Sequence, residues 1–231
     1  MPSMADSVCK TERRKQPDNT KRRHSFRCTA TLHKYFVIAP RLIREALVYL
    51  FLFFAVTVSD AAPTLRVLPL AIRPIVPGRV AVGRVVTARA NRDLRSVIEG
   101  LRRAGAGEVR VVDAGDHERA VAGELFATEA LRRGLAALVV HGRVRDTATL
   151  ARLDLPVFAS GVAPNAYAAI ARPEVGVELS LDGIVVRPGD VLVGDDDGLI
   201  VGSEEQFAGA IDAAEAIQSR EEGLQRAIAG G

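Results

Sequence analysis

The stretch from Val109 to Val140 constrains the fold more than any other part of the chain. Val109–Asp113 is a short apolar run of the buried-strand type. Gly123–Arg133 carries a helical pattern closed by Gly134, and Leu138–Val140 is a second apolar run. Strand, helix and strand over about 30 residues is the size of one right-handed βαβ crossover, which lays its two strands parallel. Both strands then end on the same edge of a sheet, and ligands in open α/β sheets bind just beyond such ends.

The flanking sequence extends this pattern. Val80–Thr87 reads as a strand. Asp93–Arg103 reads as a helix, because Leu94, Val97, Ile98 and Leu101 recur at i, i+3, i+4 and i+7, and Gly105 supplies the stop. Pro156–Ala159 reads as a further strand. Trp is absent and aromatic residues make up only 5% of a chain that is 48% apolar. The core therefore has to be built from Val, Leu, Ile and Ala, which suits strands covered by Ala-rich helices.

The last third changes character. Val177–Leu181 and Ile184–Arg187 flank Asp182-Gly183, the signature of a type I′ hairpin. Val191–Val193 and Leu199–Val201 flank a second turn at Asp195–Gly198, where the acidic run reads as a turn because it lacks the remaining spacing of a calcium loop. A helix begins at Ser203, with Gln206 completing a capping box and Phe207, Ile211, Ala214 and Ile217 as its apolar face. The expected class is α/β, with a mixed sheet that is parallel in the middle and carries antiparallel hairpins late.

The basic character sits elsewhere. Residues 1–45 hold eleven Lys/Arg against four Asp/Glu, whereas the remainder holds 20 against 24. The overall net charge of +3 thus belongs to the amino-terminal stretch, and the folded domain is not expected to bind nucleic acid. Residues 1–42 read as a disordered basic extension. Cys9 and Cys28 both fall in it, so no cysteine framework supports the core, and a reducing, cytoplasmic setting is expected. The apolar run Ala46–Val58 is too short to span a membrane. It has the look of a signal-peptide core, but is read here as covering the first helix of a single domain over residues 43–231.

Two loops should face one another on the crossover's carboxyl edge. One leads into the helix, where the free N–H groups around Glu124, Leu125 and Phe126 can hold a carboxylate or phosphate. The other follows the second strand and delivers Arg145 and Asp146. An Arg there can clamp a carboxylate or stabilise an oxyanion, and an Asp can bind a hard cation such as Mg²⁺. Taken alone, an Arg-Asp pair is also an ordinary surface salt bridge. His141, at the strand end, reads as a structural hydrogen-bonder, and His117 as an exposed loop residue.

Gly123-Glu124-Leu125-Phe126-Ala127, the twenty residues Leu125–Val144 and then Arg145-Asp146 resemble the D-x20-R-D signature of the RraA-like, 4-hydroxy-4-methyl-2-oxoglutarate aldolase family. Val58-Ser59-Asp60-Ala61, Leu155–Ala159 with Gly161-Val162 and Pro164, and Val186–Ile200 resemble other elements of that family in the same order. The resemblance implies a three-layer β/β/α swivelling-domain fold, and a homotrimer or hexamer with sites near subunit boundaries. It implies class II aldolase chemistry, or oxaloacetate decarboxylation, through a pyruvate enolate. Carried over, Asp146 would ligate Mg²⁺ or Mn²⁺, Arg145 would bind the keto oxygen, the amides of Leu125 and Phe126 would hold the pyruvyl carboxylate, and Glu124 would hold a metal-bound water. Glu124 departs from the signature's Asp by one methylene. The family also contains non-catalytic regulators that bind ribonuclease E. A methyltransferase reading finds no glycine-rich cofactor loop after the first strand.

Overall fold

The computed structural model describes residues 55–115, 118–170 and 172–230. The basic extension, the first nine residues of the apolar run and His117 lie outside the described residues.

The described chain opens with α1 (Ala55–Ala61), β1 (Arg66–Val67), β2 (Arg73–Pro74) and β3 (Ala81–Arg89). It continues through α2 (Arg95–Arg103), β4 (Glu108–Asp113), β5 (Ala120–Ala122), α3 (Glu124–Arg132) and β6 (Ala137–Val144). After α4 (Thr147–Leu150) and β7 (Val157–Val162) come β8 (Glu174–Val175), β9 (Leu179–Leu181) and β10 (Ile184–Val186). β11 (Val191–Gly194), β12 (Leu199–Gly202) and α5 (Glu204–Gly230) complete it.

The main sheet runs β1-β12-β11-β3-β4-β6-β7-β2. Its centre, β3-β4-β6-β7, is parallel; β11, β12, β1 and β2 join antiparallel. Side chains alternate across the strands, so each strand feeds two cores. On one face Val112, Leu138 and Val140 pack with Val97 and Leu101 of α2 and Ala127 and Ala130 of α3. On the other, Val109, Val111, Val139 and Phe158 pack under Leu179, Leu181 and Val186 of the β9–β10 hairpin. Hairpin, sheet and helices form three layers, β/β/α. A third cluster seats α1 and α5 on β3, β11 and β12 through Val58, Val82, Val193, Ile200 and Phe207.

The local signals read from sequence hold. Asp182 and Gly183 take φ +47° and +87°, as a type I′ turn requires, and Leu181 pairs with Ile184 across it. The capping box forms in both directions, the Gln206 amide donating to Ser203 Oγ at 3.2 Å and the Ser203 amide to Gln206 Oε1 at 2.8 Å. The boundaries differ in places. The helix expected from Asp93 begins at Arg95, because Asp93 Oδ1 instead accepts the Arg95 amide at 2.7 Å. Ile98, placed by periodicity on the core face, is 36% exposed. Ala210, one position before the expected Ile211, takes the core position on α5. β6 continues four residues past Val140, since β5 pairs with its far half through Ala120–Arg143 and Ala122–Val144.

No helix among the described residues is long and apolar enough to cross a membrane. Phe158 is fully enclosed between sheet and hairpin. Replacing it with Ala should lower unfolding stability by about 3–5 kcal/mol, read as a shift of the denaturation midpoint at unchanged slope.

Candidate active site at the ends of β5 and β6

The extension of β6 sets the site. The strand ends at Val144, and the Arg145 amide donates to Ala122 O at 3.0 Å, tying the exit of β6 to the end of β5. Two residues further along each chain, α3 begins on one side and α4 on the other. Asp146 takes a left-handed backbone, φ +61° and ψ 37°, a region open to Asp at modest cost. Its Oδ2 accepts the Glu124 amide at 3.1 Å, across 22 residues of sequence.

Gly123, the residue before α3, has no side chain with which to cap the helix. The Asp146 carboxylate does so from a neighbouring strand end, where the helix dipole favours negative charge. The approach depends on the missing side chain. A Cβ at Gly123 would lie 2.6 Å from Asp146 Oδ2 and 2.8 Å from Arg145 Cγ. Arg145 Nε stands 3.6 Å from the same Oδ2, with both side chains about 40% exposed.

The residues expected from sequence are thus brought together. Arg145, Asp146 and the start of α3 share one corner of the sheet edge. Leu125 and Phe126 lie in the first turn, ahead of the first helical bond from the Ala127 amide to Gly123 O, so their amides are among the donors a helix leaves free. The Leu125 side chain is 77% exposed, and the Glu124 side chain is exposed. Arg119, not singled out from sequence, precedes β5 with its guanidinium 5.7 Å from the Tyr167 ring centre; a cation–aromatic pair 48 residues apart leaves no local pattern.

His141 behaves as the structural hydrogen-bonder expected of it. It stands opposite Asp113 in the β4–β6 register and is 6% exposed. Nδ1 lies 3.1 Å from Asp113 Oδ1, and Nε2 lies 3.3 Å from Asp182 Oδ1 in the hairpin turn. The hydrogen bond to Asp113 raises the imidazole pKa against the opposing effect of burial, with Asp182 adding to the rise. Burial disfavours the Asp113 anion. The His141 bond, the Gly115 amide and the charges of His141 and Arg89 outweigh it and hold the carboxyl below its ordinary value.

The RraA-like family profile, Aldolase/RraA, matches residues 55–201. The chain belongs to the RraA-like family. A 4-hydroxy-4-methyl-2-oxoglutarate aldolase of Thermus thermophilus is 36% identical over 144 residues, spanning 62% of this chain and 88% of the relative. The solved RNA-processing inhibitor RraA from Thermus is 35% identical, with a TM-score of 0.59, covering 63% of this chain and 90% of that one. Streptomyces coelicolor RraAS2, an RNase ES inhibitor family member, is 25% identical with a TM-score of 0.69, covering 78% and 96%.

Among the described residues no group of three or more His, Cys, Asp or Glu is gathered to hold a metal ion. The corner at Arg145 and Asp146 instead offers the carboxylate of Asp146, of which one oxygen is committed to the helix amide, with the Glu124 carboxylate starting α3. One or two carboxylates plus waters and a chelating substrate is a donor set suited to Mg²⁺, so the residues present fit such an ion.

Two outcomes follow from this geometry. Gly123→Ala should displace Asp146 and Arg145 and lower stability by roughly 1–3 kcal/mol, with a measurable change in amide exchange at the start of α3. His141, whose folded pKa is raised, contributes stability that is complete below its unfolded value of 6.5 and is lost as pH rises through the folded value. Asp113, whose folded pKa is lowered, contributes stability that is complete above its unfolded value of 3.8 and is lost as pH falls through the folded value. The stability difference between wild type and His141→Gln, from urea titrations, should therefore be greatest between about pH 4 and 6.5 and shrink above neutrality.

Proposed function

We propose that the chain is a divalent-metal-dependent class II aldolase or decarboxylase, acting on 4-hydroxy-4-methyl-2-oxoglutarate-type substrates or oxaloacetate and releasing pyruvate. The observation that carries this reading is the convergence of Arg145 and Asp146 on the amide-rich start of α3. A small α-keto acid has the matching parts: a carboxylate for the amides and a keto oxygen for a cation. The aldolase relative supports the same reading.

In this scheme the amides of Leu125 and Phe126 hold the substrate C1 carboxylate at the positive end of the helix. Arg145 donates to the C2 oxygen. Mg²⁺ or Mn²⁺ held by Asp146 would act as a Lewis acid on the C2 carbonyl. Removal of the C4 hydroxyl proton breaks the C3–C4 bond, and its electron pair moves onto C2–O to give the pyruvate enolate. Arg145 places positive charge where that oxyanion forms. Glu124 orients a water that takes or returns the proton, and protonation at C3 completes pyruvate. With oxaloacetate the same bond breaks and CO₂ leaves, so one enolate serves both reactions.

Full assembly as a homotrimer, or a hexamer, forms part of the proposal. Exposed Leu125 and Ile98 line an apolar depression of about 270 Å³ together with Leu101 and Phe126, a surface suited to burial against a second copy.

The likeness to the Thermus RNA-processing inhibitor favours a second reading, a non-catalytic regulator of ribonuclease E. A coupled pyruvate assay with Mg²⁺ separates the two. Wild type should release pyruvate, and EDTA or Asp146→Ala should abolish it. Arg145→Met should lower kcat by roughly 10²–10³-fold. Activity that survives both chelation and Asp146→Ala rules out the mechanism. A folded, inactive chain that inhibits ribonuclease E cleavage establishes the regulator.

A further inference from the structure

Arg110 is the one cationic side chain among the described residues that is fully enclosed. It is 2% exposed, in the middle of β4 on the face covered by α2. Its Nη1 donates to Thr87 O at 3.1 Å and its Nη2 to Gly100 O. Gly100 lets the helix pass this close, since a Cβ there would lie 2.9 Å from Nη1. The Nε–H is buried and has no hydrogen-bond partner. Both acceptors are neutral carbonyls, and no carboxylate among the described residues forms an ion pair with the guanidinium. Glu108, two residues away on the same strand face, acts only through space; its carboxylate accepts the Gly105 amide at 2.7 Å. Burial lowers the Arg110 pKa to about 10, with Glu108 partly offsetting the effect, so the group still carries its charge at neutral pH.

A buried cation without a counter-charge is costly, and the surroundings hold room for one. Arg110 lines a pocket of about 120 Å³ with Val86, Thr87, Arg103 and Gly176. A single water needs about 10–15 Å³ of such space, so the pocket admits a halide or a small planar ion such as formate. Arg103 brings a second positive charge to the rim. It is 66% exposed and linked to Glu99 at 2.8 Å, an arrangement that leaves it free to turn inward at little cost. The pocket is distinct from the Arg145–Asp146 corner: it lies under the carboxyl end of α2, at the middle of β4 rather than at its end.

We propose that this pocket is a binding site for a small monovalent anion, a halide or short carboxylate, held between Arg110 and Arg103. The ion balances the buried guanidinium and ties the end of α2 to the segment around Gly176. The full-length protein is tested with bromide and chloride. Crystals soaked in sodium bromide should show an anomalous peak in the pocket against Arg110. In solution the ³⁵Cl⁻ resonance should carry excess line width that formate removes. Arg103→Glu, an exposed change, tethers a carboxylate at the rim and should cut that excess at least fivefold. Arg110→Met should abolish it, and Arg103→Glu decides the matter should Arg110→Met fail to fold. Bromide found only elsewhere on the surface, an adventitious ion only, overturns the proposal. So does an excess line width unchanged in Arg103→Glu.

Discussion

The parallel pairing of β4 with β6 is the constraint on which the rest of the molecule depends. It sets Asp113 opposite His141, and it sends both strands toward one edge. A right-handed crossover between them must carry a helix on one face, and α3 is that helix. Once β6 runs on through its bulge to pair with β5, the start of α3 and the exit of β6 cannot avoid each other. The bond from the Glu124 amide to Asp146 is the local result. The β9–β10 hairpin, on the opposite face, is tied back to the same strands through Asp182 and His141.

The sequence makes some of this legible, and the division follows range. The type I′ turn, the Ser203–Gln206 capping box and the amphipathic pattern of α2 are settled by residues within a few positions of each other. They can be read directly. β5 has three residues, Ala-Val-Ala, and becomes a strand only because β6 offers it an edge. No local pattern marks it, and the true length of β6 is hidden for the same reason. The candidate site falls between these cases. Topology alone places the loop after β6 near the start of α3, and the resemblance adds which residues the family's chemistry would draw on. What neither supplies is that Asp146 reverses through a left-handed backbone to cap the helix itself. The partners of His141 were equally out of reach, since Asp182 arrives 41 residues later on a folded-back hairpin.

Two buried basic side chains show how differently the fold treats charge. His141 sits between two carboxylates, which raise its pKa. Arg110 sits among carbonyls and apolar side chains, in a run, Glu-Val-Arg-Val-Val-Asp, that reads simply as a buried strand. A strand with valines on either side of an arginine gives no hint of which face the arginine takes; only the position of α2 above it decides that. The stretch from Arg110 to Asp113 thus serves one basic side chain through neutral carbonyls and another through a carboxylate, three residues apart.

The close approach at Gly123 has a bearing on how relatives of this chain can be sorted. An arginine followed by an aspartate is common enough that its presence in a distant homologue says little. The empty side-chain position facing it says more, because any larger residue there pushes the carboxylate off the helix while leaving the dipeptide intact. A homologue that keeps Arg-Asp but fills that gap retains the dipeptide and loses the carboxylate cap across the two strand ends.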